Sequence, residues 1–229
     1  MASATTEPPG DAWLARDPLP ADPLPILEAW QREAFAAAEQ PNPHAIALAT
    51  VDSAGNPAVR MVLCKRIDPE RAEVVFYSDR RSSKGHALAN HPRAAAVFYW
   101  GFQNRQARVE GRVRIVSDLD ADAYFASRPS DSQLGAWASE QSQPIGSRRE
   151  LEERLRAAGE RFGVEPGAEP STQVPRPPHW VGYAIVLDTI ELWVSRPGRI
   201  HDRVVWRRLQ GHAEEETGWS PWRTTRLQP

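Results

Sequence analysis

The alternation of apolar and polar residues predicts one amphipathic helix followed by a series of short strands. Between Ile26 and Glu39, apolar residues such as Leu27, Trp30 and Phe35 recur among polar ones at helical spacing. Segments with the length and composition of strands follow at 44–51, 58–66, 73–78, 94–100 and 105–116. The turn-forming sequence DSAGNP separates the first two and indicates a hairpin. Such closely spaced strands predict a mainly β, antiparallel sheet that closes or nearly closes as a barrel.

Helical patterns interrupt this series and then follow it. A short helix is expected at 82–90, and a second from its capping residue Ser117 to about Arg128, where Pro129 stops it. The capping-box sequence SRRE at 147–150 begins a third helix. Strands resume at 182–194, 199–209 and 222–227. We therefore expect an α+β protein with peripheral helices around a barrel.

The segment RIHDR, within the predicted strand 199–209, places Arg199, His201 and Arg203 at every second position. Successive side chains of an extended strand point to opposite faces, so these three would share one face. Solvent, an acidic neighbour and a bound anion all remain open as the partner of these potential cations.

The chain is long enough for one sizeable core, since it has 229 residues of which 41% are hydrophobic. Residues 1–25 contain six prolines, which deny this segment regular hydrogen bonding and predict an N-terminal arm that is mobile or draped over the domain. The pattern typical of an ordered domain begins at Ile26. We therefore expect a single domain over 26–229.

Charge and composition restrict the classes of function. The net charge of −2 gives no overall attraction for nucleic acid, so any anion must bind at a local cluster of cations. No apolar run approaches the roughly 20 residues that cross a bilayer, and no signal peptide is evident, which favours a cytoplasmic protein. The single cysteine, Cys64, and the lack of a Cys/His cluster argue against a metal site. Nine tryptophans indicate a subunit interface or a flat ligand.

Local clusters of cations and hydroxyl groups are the candidate anion sites. In AVRMVLCKR, Arg60 and Lys65 fall on opposite faces of a regular strand and should reach different groups, or simply solvent. In YSDRRSSKG, hydroxyl groups and Lys84 gather where a strand ends and a helix begins, which suits either a phosphate or helix capping alone.

A third cluster lies in AYFASRPSDSQLGAW. Tyr124 and Arg128 are four residues apart, hence on one helical face, and Ser132 follows just past Pro129, so all three could converge on one anion. An arginine that interacts with the carbonyls of its own helix end is the alternative. Since nucleophile triads, phosphate-binding glycine motifs and close carboxylate pairs are absent, the sequence favours several separate anion sites over an acid–base or nucleophilic centre.

Eight stretches, taken in order along the chain, carry a family resemblance. They are DPLPADPL (17–24), RMVLCK (60–65), FYSDRRSSKG (76–85), RQARVEG (105–111), YFASRPSDSQLGAWASEQS (124–142), IELW (190–193), RIHDR (199–203) and the terminal RLQP. Together they resemble the pyridoxine/pyridoxamine 5′-phosphate oxidases. The resemblance implies an FMN-binding split β-barrel that works as a homodimer, with two active sites at the subunit interface.

The resemblance also implies roles for individual residues. The flavin site would consist, partly across the dimer interface, of Arg60, Met61, Val62, Leu63, Cys64, Lys65, Tyr77, Ser78, Ser82, Ser83, Lys84, Gln106, Gln141, Ser142, Trp193 and Arg203. Substrate would be bound by Lys65, Tyr124, Arg128, Ser132, Arg199 and His201, of which the last two would lie at the reacting ring. Some family members have an arginine where this chain has Ser83, so that phosphate contact is either lost here or supplied by Arg80 or Arg81.

The implied reaction is hydride transfer from the C4′ carbon of pyridoxamine or pyridoxine 5′-phosphate to flavin N5, with pyridoxal 5′-phosphate as product. Reoxidation by O2 would release hydrogen peroxide. Two alternatives belong to the same fold: a flavin oxidase of phenazine biosynthesis, and a non-catalytic protein that binds flavin or pyridoxal phosphate. A full set of B6-phosphate ligands argues against the phenazine oxidase. The ring-facing pair Arg199 and His201 argues against the non-catalytic protein, which would keep only the phosphate ligands.

Overall fold

The computed structural model describes residues 11–165, 167, 174–209 and 219–229. The strands in these residues are β1 (Ala45–Val51), β2 (Pro57–Leu63), β3 (Arg66–Asp68), β4 (Glu73–Asp79), β5 (Arg93–Trp100), β6 (Arg105–Ile115), β7 (Trp180–Val194), β8 (Asp202–Arg207) and β9 (Arg223–Arg226). The α-helices are α1 (Leu24–Ala37), α2 (Ser83–Asn90), α3 (Asp118–Ala126), α4 (Ser130–Ala138) and α5 (Arg148–Phe162). Short 3-10 helices occupy Ala12–Ala15 and Pro197–Arg199. No helix in the described part of the chain is long and apolar enough to cross a membrane.

All strands belong to one antiparallel sheet, in the order β2-β1-β5-β6-β7-β4-β3, with β8 paired to β7 and β9 paired to β8. The 15-residue strand β7 pairs with β4 through its first half and with β8 through its second. Beyond the end of β2, the Lys65 amide donates to the Val75 carbonyl of β4 at 2.7 Å, which draws the two ends of the sheet together. The predicted barrel-forming antiparallel sheet with peripheral helices is confirmed.

The barrel interior is filled by the inward-facing residues of these strands. Ile46, Leu48, Phe98 and Val109 are all less than 1% exposed, and they alternate with outward-facing residues as the pleat requires. Each such side chain contributes about 1.5–3 kcal/mol when it leaves water. Helix α1 covers one end of the barrel through Trp30, whose ring meets Trp100 edge to face at 6.2 Å.

Of the two forms expected for the Pro-rich arm, mobile or draped over the domain, residues 11–25 show the draped one. Trp13 is 1% exposed and lies 6.0 Å from Trp30 and 5.8 Å from Trp206, ring centre to ring centre. The Pro20 carbonyl accepts from the Trp206 indole N–H at 2.8 Å. The prolines prevent long regular structure here, but two large apolar side chains, Trp13 and Leu14, still bind the segment to the core. Residues 1–10 lie outside the described part of the chain.

Three local predictions were wrong. Helix α4 was not expected; Pro129 ends one helix but also begins the next, because proline suits the first turn of a helix. Arg128 lies beyond the end of α3, so its proximity to Tyr124 comes from the turn and not from helical spacing. Strand β8 begins only at Asp202, and Arg199 ends a 3-10 turn with φ +63°, so the alternation expected for RIHDR does not extend to Arg199.

Candidate functional site

A cavity of about 360 Å³ lies between the end of the β2 strand, β4 and the α3–α4 turn. Its lining residues are Met61, Val62, Leu63, Lys65, Tyr77, Ser78, Lys84, Tyr124, Ser127, Arg128, Pro129, Ser132, Gln141 and Trp180. The lining contains three cationic side chains, and none of these described lining residues is Asp or Glu. A cavity with excess positive charge and several hydroxyl groups suits an anionic ligand.

Lys84 is the most deeply buried of these cations, with 8% of its surface exposed. Its ammonium donates to Ser78 Oγ at 3.0 Å, Ser82 Oγ at 3.1 Å and Gln141 Oε1 at 2.5 Å. Burial, followed by the nearby positive charge of Arg60, lowers the pKa of Lys84 to about 8. The charge is thus held by neutral oxygen atoms, an environment that an anion would improve.

The serines of YSDRRSSKG have separate roles. Ser82 caps helix α2: its hydroxyl accepts from the Gly85 amide at 3.3 Å and donates to the Asp79 carbonyl at 2.7 Å. Ser83 is exposed and does not line the cavity. Capping is therefore one function of this motif, while Ser78 and Lys84 face the cavity.

Arg128 is a half-buried cation without a counter-charge at the cavity. Its guanidinium carbon lies 4.7 Å from the centre of the Trp180 ring and 5.4 Å from that of Phe125. Its Nη1 atom is buried and has no hydrogen-bond partner among the described residues. Burial lowers the pKa of Arg128 from its usual value. An unpaired buried donor of this kind is costly unless a ligand accepts from it.

Aromatic rings form one wall of the cavity. Tyr77 stacks on Tyr124 at 4.2 Å and on Trp180 at 5.0 Å, with interplanar angles of 21° and 9°. The Nζ atom of Lys65 lies over the ring of Tyr124, 5.9 Å from its centre. Burial, and next the charge of Arg128, lowers the pKa of Lys65. The wall therefore combines flat apolar surface with a cation over Tyr124 and another over Trp180.

The remaining predicted residues form a second group, away from the cavity lining. Strand register aligns Gln106 of β6 with Trp193 of β7, and Trp193 with Arg203 of β8, so the three side chains form one row. His201 lies beside Trp193 at 4.7 Å between ring centres, and its Nδ1 accepts from the Arg196 amide at 3.1 Å. Arg199 is exposed nearby. None of these five lines the cavity of the same chain.

Arg203 is fixed by neighbours on three sides. Its Nε donates to Glu191 Oε1 at 2.8 Å, and its Nη1 donates to the Gln228 carbonyl at 3.1 Å. The Leu227 amide donates to the Arg203 carbonyl at 2.9 Å, so the terminal RLQP is attached to this strand. The sequence left open whether an acidic neighbour pairs with the cations of RIHDR. For Arg203, that neighbour is Glu191.

Several predicted flavin residues lie outside the cavity lining. Arg60 donates through Nη1 to Thr50 Oγ1 at 2.7 Å and to the Leu48 carbonyl at 3.2 Å, yet its charge still affects Lys84. The Cys64 thiol is buried, with its pKa raised to about 12, and donates to the Arg66 carbonyl. Ser142 is exposed in a turn with φ +73°.

Arg81 does not serve the cavity, because its guanidinium is paired with Asp79 at 2.8 Å. Trp180, Ser127 and Pro129 line the cavity but were not predicted. The high tryptophan content pointed to a flat ligand, but the sequence carried no signal that selected Trp180 among nine.

Comparisons with known proteins agree with this geometry. A family profile described as pyridoxamine 5′-phosphate oxidase matches residues 32–161, and a profile described as the pyridoxine 5′-phosphate oxidase C-terminal dimerisation region matches 180–229. Proteins named pyridoxine/pyridoxamine 5′-phosphate oxidase from Burkholderia cenocepacia (strain HI2424) and Burkholderia multivorans (strain ATCC 17616 / 249) are each 47% identical over 208 residues, which is 91% of this chain and 89% of theirs.

Solved structures are similar over nearly the whole chain. The crystal structure of PhzG from Burkholderia lata 383, in complex with tetrahydrophenazine-1-carboxylic acid, has a TM-score of 0.78 at 28% identity and covers 93% of this chain and 95% of its own. A pyridoxamine 5′-phosphate oxidase-related, FMN-binding protein from Nostoc punctiforme PCC 73102 shares the fold, with a TM-score of 0.67 at 16% identity over 92% of this chain and 100% of its own. The predicted split-barrel fold is confirmed, and the family supports FMN as the cofactor. The chain belongs to the pyridoxamine 5′-phosphate oxidase family.

Proposed function

We propose that this protein oxidises pyridoxamine 5′-phosphate and pyridoxine 5′-phosphate to pyridoxal 5′-phosphate, with FMN as cofactor and O2 as the electron acceptor. The observation that carries the proposal is the cavity itself: it has Lys65, Lys84 and Arg128 in its lining, no carboxylate among the described lining residues, and a buried Nη1 atom of Arg128 without a partner. Two phosphorylated, flat molecules require this combination of cations and aromatic surface.

The residues present fit the flavin phosphate. Lys84 and Ser78 are buried beside the beginning of α2, where the helix dipole adds to the charge of the ammonium. Their polar atoms are satisfied by Gln141, an exposed side chain that can move aside or contact the ligand. Burial of Lys84 among neutral oxygens makes a dianionic phosphate its natural counter-charge.

The B6 phosphate is assigned to Lys65, Tyr124, Arg128 and Ser132. Arg128 is held flat against Trp180, so its guanidinium enters the complex already oriented. Burial, and next the charge of Arg128, lowers the pKa of Lys65, and the repulsive part of this cost is removed when an anion binds between the two cations.

Bound FMN would supply the redox chemistry, as acceptor of the hydride from the substrate and donor of electrons to O2. The protein's own task is orientation: the two phosphate groups are anchored at different cations, and the flat wall of Tyr77, Tyr124 and Trp180 restricts the rings. This division accounts for a cavity whose described lining residues include no Asp, Glu, His or Cys.

We infer that the site is completed by a second copy of the chain. Arg199, His201, Trp193, Gln106 and Arg203 are assigned to the ligand rings, yet none lines the cavity of its own chain. The match of 180–229 to a C-terminal dimerisation region supports a homodimer in which this group faces the partner's cavity. The catalytic pair Arg199 and His201 would then act across the interface.

A phenazine-type flavin oxidase is the second candidate, favoured by the similarity to PhzG. The ligand in that structure is a carboxylic acid, whose carboxylate has two acceptor oxygens, whereas the phosphate that Lys65, Arg128 and Ser132 are proposed to share has three terminal oxygens. The arrangement of these residues therefore supports the B6 substrate.

The purified protein tests the proposal. We expect a yellow dimer that releases FMN on denaturation and converts pyridoxamine 5′-phosphate to pyridoxal 5′-phosphate, with one hydrogen peroxide per turnover. Turnover of tetrahydrophenazine-1-carboxylic acid without turnover of B6 phosphates would favour the second candidate. A colourless protein that cannot be reconstituted with FMN would exclude both.

A further inference from the structure

His44 lies directly behind Lys65, outside the cavity lining. The Nε2 atom of His44 is 3.4 Å from the Nζ atom of Lys65. We propose that His44 is a positioning residue that holds the Lys65 ammonium in place for the substrate phosphate. This inference rests on the proposed function, because it takes Lys65 as a ligand of that phosphate.

The imidazole of His44 is held by one stacking contact and by a fixed backbone. Its ring stacks on Phe35 of α1, with 5.4 Å between ring centres and an interplanar angle of 12°. The backbone is fixed as well, since the His44 carbonyl accepts from the Cys64 amide at 2.8 Å. The preceding carbonyl, of Pro43, accepts from the Trp100 indole N–H at 2.8 Å. A ring with so little freedom can orient a flexible partner.

Lys65 has a flexible side chain that needs a fixed neighbour to orient it. It follows the end of β2, its side chain is exposed, and its charge is opposed by Arg128 across the cavity. Without a fixed acceptor, four rotatable bonds and the repulsion from Arg128 would let the ammonium turn toward solvent. The Nε2 lone pair of a neutral imidazole supplies that acceptor, and the ammonium keeps two further N–H groups for a phosphate.

The surroundings of His44 favour the neutral ring. Burial, and next the charge of Lys65, lowers the pKa of His44, and Lys65 is the cation that faces it. With Nε2 as acceptor the ring proton sits on Nδ1, which is buried and has no hydrogen-bond partner among the described residues. The tautomer is therefore selected by Lys65 itself.

Two substitutions separate this role from simple packing. His44→Phe keeps a ring against Phe35 but removes the acceptor, whereas His44→Gln keeps an acceptor without the ring. We expect His44→Phe to raise KM for pyridoxamine 5′-phosphate, and Kd for pyridoxal 5′-phosphate in a flavin-absorbance titration, by about three- to tenfold. The kcat and the FMN affinity should stay within about twofold, and His44→Gln should recover at least about half of the loss.

A double-mutant cycle gives the decisive result. In a Lys65→Met holoenzyme, His44→Phe should cause no further rise in KM or in the Kd for pyridoxal 5′-phosphate, because His44 acts only through Lys65. Additive losses, a fall in kcat at constant KM, or a His44→Phe variant that binds product like the wild type would each overturn the proposal.

The same variants are also titrated with inorganic phosphate by calorimetry. If the wild type fails to oxidise B6 phosphates, the proposed function is wrong. Equal phosphate affinity of wild type and His44→Phe would refute the role of His44 independently of that outcome.

Discussion

Glu191 and Arg203 form a two-point ion pair on adjacent strands, with Nε and Nη2 of the arginine both 2.8 Å from Oε1 of the carboxylate. Glu191 is 3% exposed, and Arg108 Nη2 lies 3.1 Å from its other oxygen. One buried carboxylate thus fixes the arginine that we assign to the flavin.

Glu191→Gln is predicted to weaken both the fold and flavin binding. The variant leaves Arg203 and Arg108 short of a counter-charge, so urea unfolding should show a loss of about 1–3 kcal/mol. FMN affinity, measured by fluorescence, should fall in parallel. Glu110 pairs with the same Arg108 but is 37% exposed in its side chain, so Glu110→Gln is the control and should cost less than about 1 kcal/mol. Equal losses in the two variants would contradict the assignment.

FMN affinity is predicted to fall above pH 8. The pKa of Lys84 in the free protein is about 8, lowered by burial and by Arg60, and a bound phosphate would raise it again. Below pH 8 the ammonium is already present; above it, binding must take up a proton, which costs up to about tenfold in affinity per pH unit. Lys84→Arg stays charged and serves as control. If its Kd changed with pH as the wild type's does, another group would be responsible.

Arg128→Met is predicted to weaken substrate binding while FMN binding stays nearly unchanged. The change removes a charge-assisted contact while it keeps an apolar chain against Trp180, so KM for pyridoxamine 5′-phosphate should rise about 10- to 150-fold. The Kd for FMN should change less than about threefold, since Lys84 and Ser78 are assigned to the flavin. Steady-state kinetics and a flavin titration on the same preparation check both values. A variant that loses FMN instead would place Arg128 at the other phosphate.

Arg199→Ala is predicted to impair oxidation while FMN stays bound. The exposed guanidinium of Arg199 is assigned to the substrate ring of the partner's site, not to the flavin. Turnover and the bound-flavin spectrum are measured together, and mixed dimers with an Arg128→Met chain should regain one working site. Loss of flavin from Arg199→Ala would refute the role.

Trp13→Ala is predicted to destabilise the whole domain. The ring is 1% exposed between Trp30 and Trp206, so its removal should cost about 3–5 kcal/mol in the free energy of unfolding. Leu119→Ala, at a side chain 80% exposed, is the control and should cost less than about 0.5 kcal/mol. A small loss in Trp13→Ala would restore the view of 11–25 as a loose arm.

The barrel strands could be predicted because their signal is local. Period-two alternation and turn residues such as those of DSAGNP reflect the pleat and the hairpin directly. The clusters around Lys84 and Arg128 were also visible, since each gathers its polar groups within a few residues of the chain.

The rest depends on contacts between distant segments. Trp13 packs against Trp206, and Arg128 lies on Trp180, pairings that no local pattern records. The RIHDR segment misled because Gly198 and Arg199 both take positive φ, so the strand starts three residues later than its composition suggested. Strand parity alone could not show that the predicted site residues divide into two separate groups.

The central claim is that the cavity oxidises a phosphorylated B6 vitamer, and one ratio tests it most directly. The kcat/KM of the FMN-loaded protein is measured for pyridoxamine 5′-phosphate and for pyridoxamine, with peroxide release as the readout. Because we assign Lys65 and Arg128 to the substrate phosphate and not to its ring, we predict a ratio of at least about one hundred, most of which comes from the difference in KM. A ratio near one, or turnover of neither compound, would contradict the account.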